Sequence, residues 1–223
     1  MKTQVLIIVT TIFWLFSCGQ AAQHEPNTKT TVMGISMDDA PFVMDSVKIN
    51  EIDSICLSTN KAMFHKPKHQ MLDVSELGQP SLKVGYYVNP ENGMLRILIS
   101  ENENRVLNLK YFYCINNIPV QMHYRYWDRN ASPQYVEETY CYFDENGKMF
   151  YAGKRSTTLS PEEIPAKLKS IPLTEPDLSK KELYDFVIKY WELAQLAVED
   201  HKNPKPAQEG QDESNQIEEG NNQ

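Results

Sequence analysis

Between Leu82 and Lys154 the chain repeats one pattern: short runs of alternating apolar and polar residues, rich in aromatics and separated by Asn- and Gly-containing turns. No other feature constrains the fold as strongly. Period-two alternation sends successive side chains to opposite faces, and connections this short join antiparallel neighbours only. Leu82, Val84, Tyr86 and Val88 form the first run; Asn89-Pro90-Glu91-Asn92-Gly93 is the turn; Leu95, Ile97 and Ile99 form the second. Leu107 to Cys114, Val120 to Trp127, Tyr135 to Phe143 and Lys148 to Lys154 are four further strands, with turns at Asn116-Asn117 and Asp144-Glu145-Asn146-Gly147. The stretches "YYVNPENGML", "YFYCINNIPV" and "CYFDENGKMF" share an aromatic strand end, an Asn-containing turn and an apolar restart. They recur roughly 27 residues apart, as a loose repeat of hairpins or as an ordinary meander would.

Helical spacing flanks this region. Val47, Ile52, Ile55 and Cys56 fit one face of a helix over 45–59, with Ile49 off that face, and Pro67 ends it. Ser160-Pro161-Glu162-Glu163 opens a short helix of about two turns, with a capping serine and a proline at its first position. Ser179-Lys180-Lys181-Glu182 is a second capping box. Beyond it, Leu183, Phe186, Val187, Tyr190, Ala194 and Ala197 line one face of a helix reaching about Asp200. The expected fold is α+β: an N-terminal helix, an antiparallel β-meander of about six strands, and a C-terminal amphipathic helix packed on the sheet.

The N-terminus carries one charge, Lys2, then an almost wholly apolar run from Val5 to Phe16. That is the layout of a secretory signal peptide, too short for the roughly 20 apolar residues of a membrane-spanning helix. Leu15-Phe16-Ser17-Cys18 resembles the lipobox of bacterial lipoproteins, although Phe16 is bulkier than the residue usual there. The resemblance implies that the Cys18 thiol receives diacylglycerol and that cleavage makes Cys18 the first mature residue. An ordinary signal peptide cut near Ala21 or Ala22 would instead discard it. Two or three acyl chains give durable anchoring where one is marginal.

Removal of residues 1–17 takes one lysine with it and leaves 206 residues, 21 basic groups against 30 acidic ones, a net −9. An acidic chain is poorly suited to nucleic acid or to anionic lipid, so lipid on Cys18 is the expected route to the membrane. The domains expected are a signal peptide (1–17), a flexible polar tether (18–44), one α+β domain (45–202) and a disordered acidic tail (203–223). Tyr142-Phe143-Asp144-Glu145-Asn146-Gly147-Lys148-Met149-Phe150 resembles the hairpins of small envelope lipoproteins of Bacteroidetes. The resemblance covers residues 45 to 155, implies a cell-envelope location at the outer membrane, and brings no catalytic residues with it.

Candidate chemistry is sparse. His65 and His69 stand four apart, but Pro67 between them and two lysines argue for a loop rather than a zinc site. No Gly-x-Ser-x-Gly elbow or phosphate-binding glycine loop is present. Neither metal nor cofactor is expected, and no catalytic set is assigned. Glu137, Glu138, Asp128, Asp144 and Glu145 read as turn or exposed-strand carboxylates. Cys114 and Cys141 lie in strands separated by a third, about 9.5 Å apart, too far for a disulfide, so buried free thiols are expected. The densest stretch is His123-Tyr124-Arg125-Tyr126-Trp127. On a strand His123, Arg125 and Trp127 share one face. Trp offers flat contact area and Arg reads carboxylates, so this face is either a binding surface or simply the wet side of the sheet. Asp45-Ser46-Val47 and Asp53-Ser54-Ile55 resemble the O-glycosylation motif of Bacteroidetes envelope proteins, which makes Ser46 and Ser54 candidate acceptors, although a serine at a helix start is also an ordinary cap.

The function expected is a non-enzymatic, lipid-anchored binding module for a protein or glycan partner, with no nucleic-acid role. The alternatives are a small envelope hydrolase or an inhibitor of a secreted enzyme. A flat aromatic face bearing Arg125 and Trp127 would favour binding, a deep pocket with converging His and carboxylate groups the hydrolase, and a protruding hairpin tip at Asn92-Gly93 or Asn146-Gly147 the inhibitor.

Overall fold

The structure is a computed structural model and describes residues 30–32, 34–38, 40–65, 70–160 and 163–204. Cys18, the expected signal peptide, His69 and residues 205–223 of the expected tail lie outside them. In chain order the elements are β1 (Thr30–Val32), β2 (Ile35–Met37), α1 (Ser46–His65), β3 (Gln70–Leu72), β4 (Leu82–Val88), β5 (Leu95–Glu103), β6 (Val106–Ile115), β7 (Ile118–Asp128), β8 (Gln134–Phe143), β9 (Met149–Leu159), α2 (Ile164–Ser170) and α3 (Lys180–Lys202).

β3 to β9 form one antiparallel sheet in sequence order, seven strands rather than about six. The extra strand, β3, is three residues long and too short to show a period. Two turns are the two-residue kind that suits the twist of a hairpin, with positive φ at both residues. One is Asn116-Asn117 (52° and 64°); the other is Asn104-Arg105 (49° and 63°), which the sequence does not announce. The Asn-Gly turn at Asn92-Gly93 is wider than a two-residue hairpin turn. Asn89 turns inward, donating from its side chain to Thr59 Oγ1 (3.3 Å) while its backbone amide reaches Met94 O (2.9 Å).

Each face of the sheet is covered. On one face Ile97, Phe112, Met122, Cys141 and Ala152 line up across the strands beneath α3. Trp191 of α3 is fully buried there and packs on Phe112 at 5.2 Å. The capping box is formed: Ser179 accepts from the Glu182 amide, and the Glu182 carboxylate accepts from the Ser179 amide (2.8 Å). Cys56, Cys114 and Cys141 are free and buried, and β7 separates the strands of the last two.

The other face carries α1 and α2. Ile49, Ile52 and Cys56 of α1 pack on Met94, Tyr113, Tyr142 and Tyr151. The buried stripe therefore includes Ile49, while Val47 (70% exposed) and Ile55 (37%) face outward. The stripe is chosen by what the sheet offers, since α1 also seats polar Thr59 and Asp53 against partners on the strands. α2 starts at Ile164 with Pro165 in its first turn, later than the serine signal implied, and buries Leu168 beside Val136.

The described residues from 34 to 38 and from 40 to 44 fall in the expected tether but lie on the domain: Ile35 is fully buried, the Ser36 amide donates to Gly147 O (2.9 Å), and the Val43 amide donates to Phe150 O (3.1 Å). Gly147 has φ 72°, and a Cβ there would stand 1.8 Å from Gly34 O, so this glycine is what lets the N-terminal hairpin close on the β8–β9 turn. Among the described residues no helix is long and apolar enough to cross a membrane.

Candidate functional site

The alternation along β7 puts His123, Arg125 and Trp127 on the α1 side of the sheet, and the register supplies their neighbours. Arg125 stands opposite Glu138, which stands opposite Arg155. A carboxylate thus sits between two guanidiniums on adjacent strands. One row along, His123 stands opposite Tyr140, and beyond it Gln121 opposite Tyr142. α1 roofs one end of this face and the segment from Leu168 to Leu173 the other. Between them is a cleft of about 600 Å³ into which His123, Arg125, Trp127, Glu138, Arg155 and Asp53 all project. Its size lies within the range of small-molecule sites. The face read from sequence as either a flat binding surface or the wet side of the sheet is concave.

Glu138 is the most heavily bonded group. Its Oε1 accepts from Arg125 Nε (2.9 Å) and Nη2 (2.5 Å). Its Oε2 accepts from Arg155 Nε (2.8 Å) and Nη2 (2.6 Å) and from the Tyr140 hydroxyl (3.0 Å). Only 1% of the side chain is exposed, so Glu138 is not the exposed-strand carboxylate the sequence suggests. Burial works to raise its pKa, but the contact with His123 and the Arg125 guanidinium outweigh it and hold the carboxyl far below the usual range. Glu138 therefore stays ionised and orients the arginines.

His123 Nε2 lies 3.1 Å from Glu138 Oε1 but outside hydrogen-bonding direction. Its ring stacks on Tyr140 at 4.3 Å and 5°. Burial lowers its pKa and two nearby arginines oppose a third positive charge, against the pull of Glu138, so the imidazole is neutral at pH 7.

Asp53 enters from α1. Its Oδ1 accepts from Gln121 Nε2 (2.6 Å) and from the Tyr142 hydroxyl (3.0 Å). Burial raises its pKa, the two hydrogen bonds working the other way. At the far end Trp127 donates from Nε1 to Gln134 Oε1 (2.8 Å), with the Arg129 guanidinium 4.4 Å from its ring. Lys169 of α2 stands exposed at the rim.

Thus the three residues nominated from sequence converge on one cleft. Ser46 and Ser54 do not join it; both are exposed on α1, where Asp45 accepts from the Lys48 amide (3.0 Å) as a helix cap. Sequence reasoning missed Asp53, Glu138, Tyr140, Tyr142 and Arg155. His65 ends α1 and His69 lies outside the described residues, among which no three His, Cys, Asp or Glu side chains gather as metal ligands. Cys56 lines the cleft, but burial pushes its thiol well above the ordinary range, so it is no nucleophile at neutral pH. Comparison with family models, with curated proteins and with solved structures finds no match to this chain.

Proposed function

We propose that this chain is a lipid-anchored envelope protein, held by acyl chains on Cys18, whose folded domain binds a glycan in the cleft between α1 and α2. One observation carries the binding half of the reading: His123, Arg125 and Trp127 converge on a concave site of about 600 Å³. A sugar unit fits a cleft of that size, walled by aromatic rings and lined with polar groups of fixed position. A large protein partner would want the flatter face that this domain lacks here. The lipid half rests on the run from Val5 to Cys18.

A glycan array probed with the folded domain tests the binding, with Trp127→Ala as the control. Selective hits that vanish in the variant support the reading; no hits, or hits kept by the variant, refute it. Intact mass and fractionation of wild type against Cys18→Ala test the anchor. Wild type carrying acyl mass and sedimenting with membrane supports it, and two soluble forms cut after Ala21 or Ala22 refute it.

One observation favours a second reading, a hydrolase: His123 and the carboxylates Asp53 and Glu138 converge in this one cleft. Asp53 and Glu138 share the cleft with their pKa values pushed in opposite directions, a pattern found in acid and base pairs. Asp53 would be the acid. Glu138 is a poor nucleophile, because five donors occupy its oxygens. Turnover abolished by Asp53→Asn with binding retained would favour this reading over simple binding.

A further inference from the structure

The cleft lies on a chain whose formal net charge is −8, yet its own balance has the other sign. Its lining cations are Arg125, Arg155 and Lys169, against the carboxylates Asp53 and Glu138, with His123 neutral. The cations are also not used up. Arg125 and Arg155 each give Nε and Nη2 to Glu138, and Arg155 Nη2 also donates to the Tyr140 hydroxyl (2.9 Å). Among the described residues Nη1 of neither guanidinium makes a hydrogen bond. A single carboxylate thus fixes two planar forks side by side and leaves each with donors to spare. The Arg125 side chain, 35% exposed, is open to solvent where Arg155, at 14%, is less so. Cations that served only to neutralise Glu138 would need one guanidinium rather than two.

Resting on the reading of the cleft as a glycan site, we infer that the sugar it takes is acidic. Its carboxylate is held by the spare donors of Arg125 and Arg155 and steered by Lys169, and its ring lies toward the aromatic wall near Trp127. A guanidinium already locked in orientation loses little freedom on binding, so its charge-assisted hydrogen bond to a carboxylate is realised nearly in full. The surrounding negative charge of the domain makes this cleft the place where an anion is tolerated, and disfavours acids elsewhere on the surface.

Calorimetric titration of the folded domain with D-glucuronate, D-glucose, D-glucosamine and acetate separates the possibilities, with Trp127 fluorescence reporting occupancy of the cleft. Glucuronate is expected to bind at least about tenfold more tightly than glucose, the worth of one charge-assisted hydrogen bond, and glucosamine more weakly than glucose. Arg125→Gln, which leaves Arg155 on Glu138, abolishes the preference, so that glucuronate and glucose bind the variant equally. Lys169→Gln, at an exposed position that disturbs no packing, weakens glucuronate by a smaller factor that salt abolishes. If glucose and glucuronate bind equally in the cleft, the acidic assignment falls while the glycan site stands. Acetate binding as tightly as glucuronate overturns the sugar. If none of the sugars binds or perturbs Trp127, the inference and the reading beneath it fall together.

Discussion

Replacing Glu138 with Gln tests whether one carboxylate organises the cleft. Gln keeps the shape and one oxygen, but turns the other acceptor into a donor facing a guanidinium fork. Two arginines then face each other across β8 with no counter-charge between them. Removing one partner of a buried ion pair costs about 3–5 kcal/mol. Arg125, at 35% side-chain exposure, regains water more easily than Arg155, at 14%, which puts the loss near the low end, about 3 kcal/mol. For a unit of this size each kcal/mol moves Tm by about 2–4 °C, so Tm should fall by about 6–12 °C. Glu137→Gln makes the same chemical change one residue away on the opposite face. There Glu137 meets Lys154 at 3.0 Å, and Lys154 keeps Asp177 at 2.6 Å, so the loss should be at most about 1 kcal/mol. Urea unfolding followed by circular dichroism measures both. A double-mutant cycle with Arg155→Gln should show a coupling of about 1 kcal/mol or more. Equal losses at 137 and 138, or a loss at Glu138 under about 1 kcal/mol, would refute the view that the arginines are held by this one acid.

Acid should weaken the fold in two steps. The His123 pKa is lowered in the folded state, first by burial, so below about pH 6.5 the unfolded chain takes up a proton the folded chain refuses and stability falls. Glu138, depressed in the folded state, gives stability present in full above about pH 4.3 and lost as the pH falls below that. In urea melts from pH 7.5 to 3.5, His123→Gln should remove the upper step and keep the lower, and a wild-type profile flat between pH 7 and 5 would count against it. Burial raises the Cys141 thiol to about 12 and the Cys114 thiol above that. Ellman's reagent should therefore find no thiol among Cys56, Cys114 and Cys141 in the native Cys18→Ala protein at pH 8, and all of them after unfolding without reductant; a shortfall after unfolding would reveal a bridge. Gly147→Ala should destabilise more than Gly93→Ala. Both glycines have similar φ (72° and 69°), but only at 147 would the new Cβ meet a backbone oxygen, so equal thermal shifts would show that the closure of the N-terminal hairpin contributes nothing.

What the sequence made legible was what period and capping alone determine. The alternation from Leu82 to Lys154 marks the sheet, and Ser179 with Glu182 marks the start of α3, because each is a local property of a few residues. The turn at Asn104-Arg105 escaped because arginine at positive φ carries no turn signature. The helix stripe on α1 was misread because Val47 and Ile55 are apolar decoys on its outer face, and only packing against Tyr113 and Tyr142 selects Ile49, Ile52 and Cys56. The concavity escaped for a different reason. It comes from a gap between two helices laid on one sheet face, and no spacing within either helix encodes a gap.

Half of the cleft could still have been deduced. Once His123, Arg125 and Trp127 are placed on one face, two outcomes follow for Arg125. On a wet face it needs nothing. On a covered face a carboxylate must stand within reach, since an unpaired buried cation is too costly to keep. In an antiparallel meander that acid comes from an adjacent strand, and the strand after β7 holds Glu137 and Glu138 side by side. Strand parity allows only one of them onto the arginine's face, and the register of the β7–β8 hairpin decides which. The pairing of Arg125 with Glu138, and of Glu138 with Arg155, is that decision. A one-residue slip would have put Glu137 beneath the arginines and Glu138 against Lys154. The cleft chemistry is thus set less by any single residue type than by the turn that fixes this register.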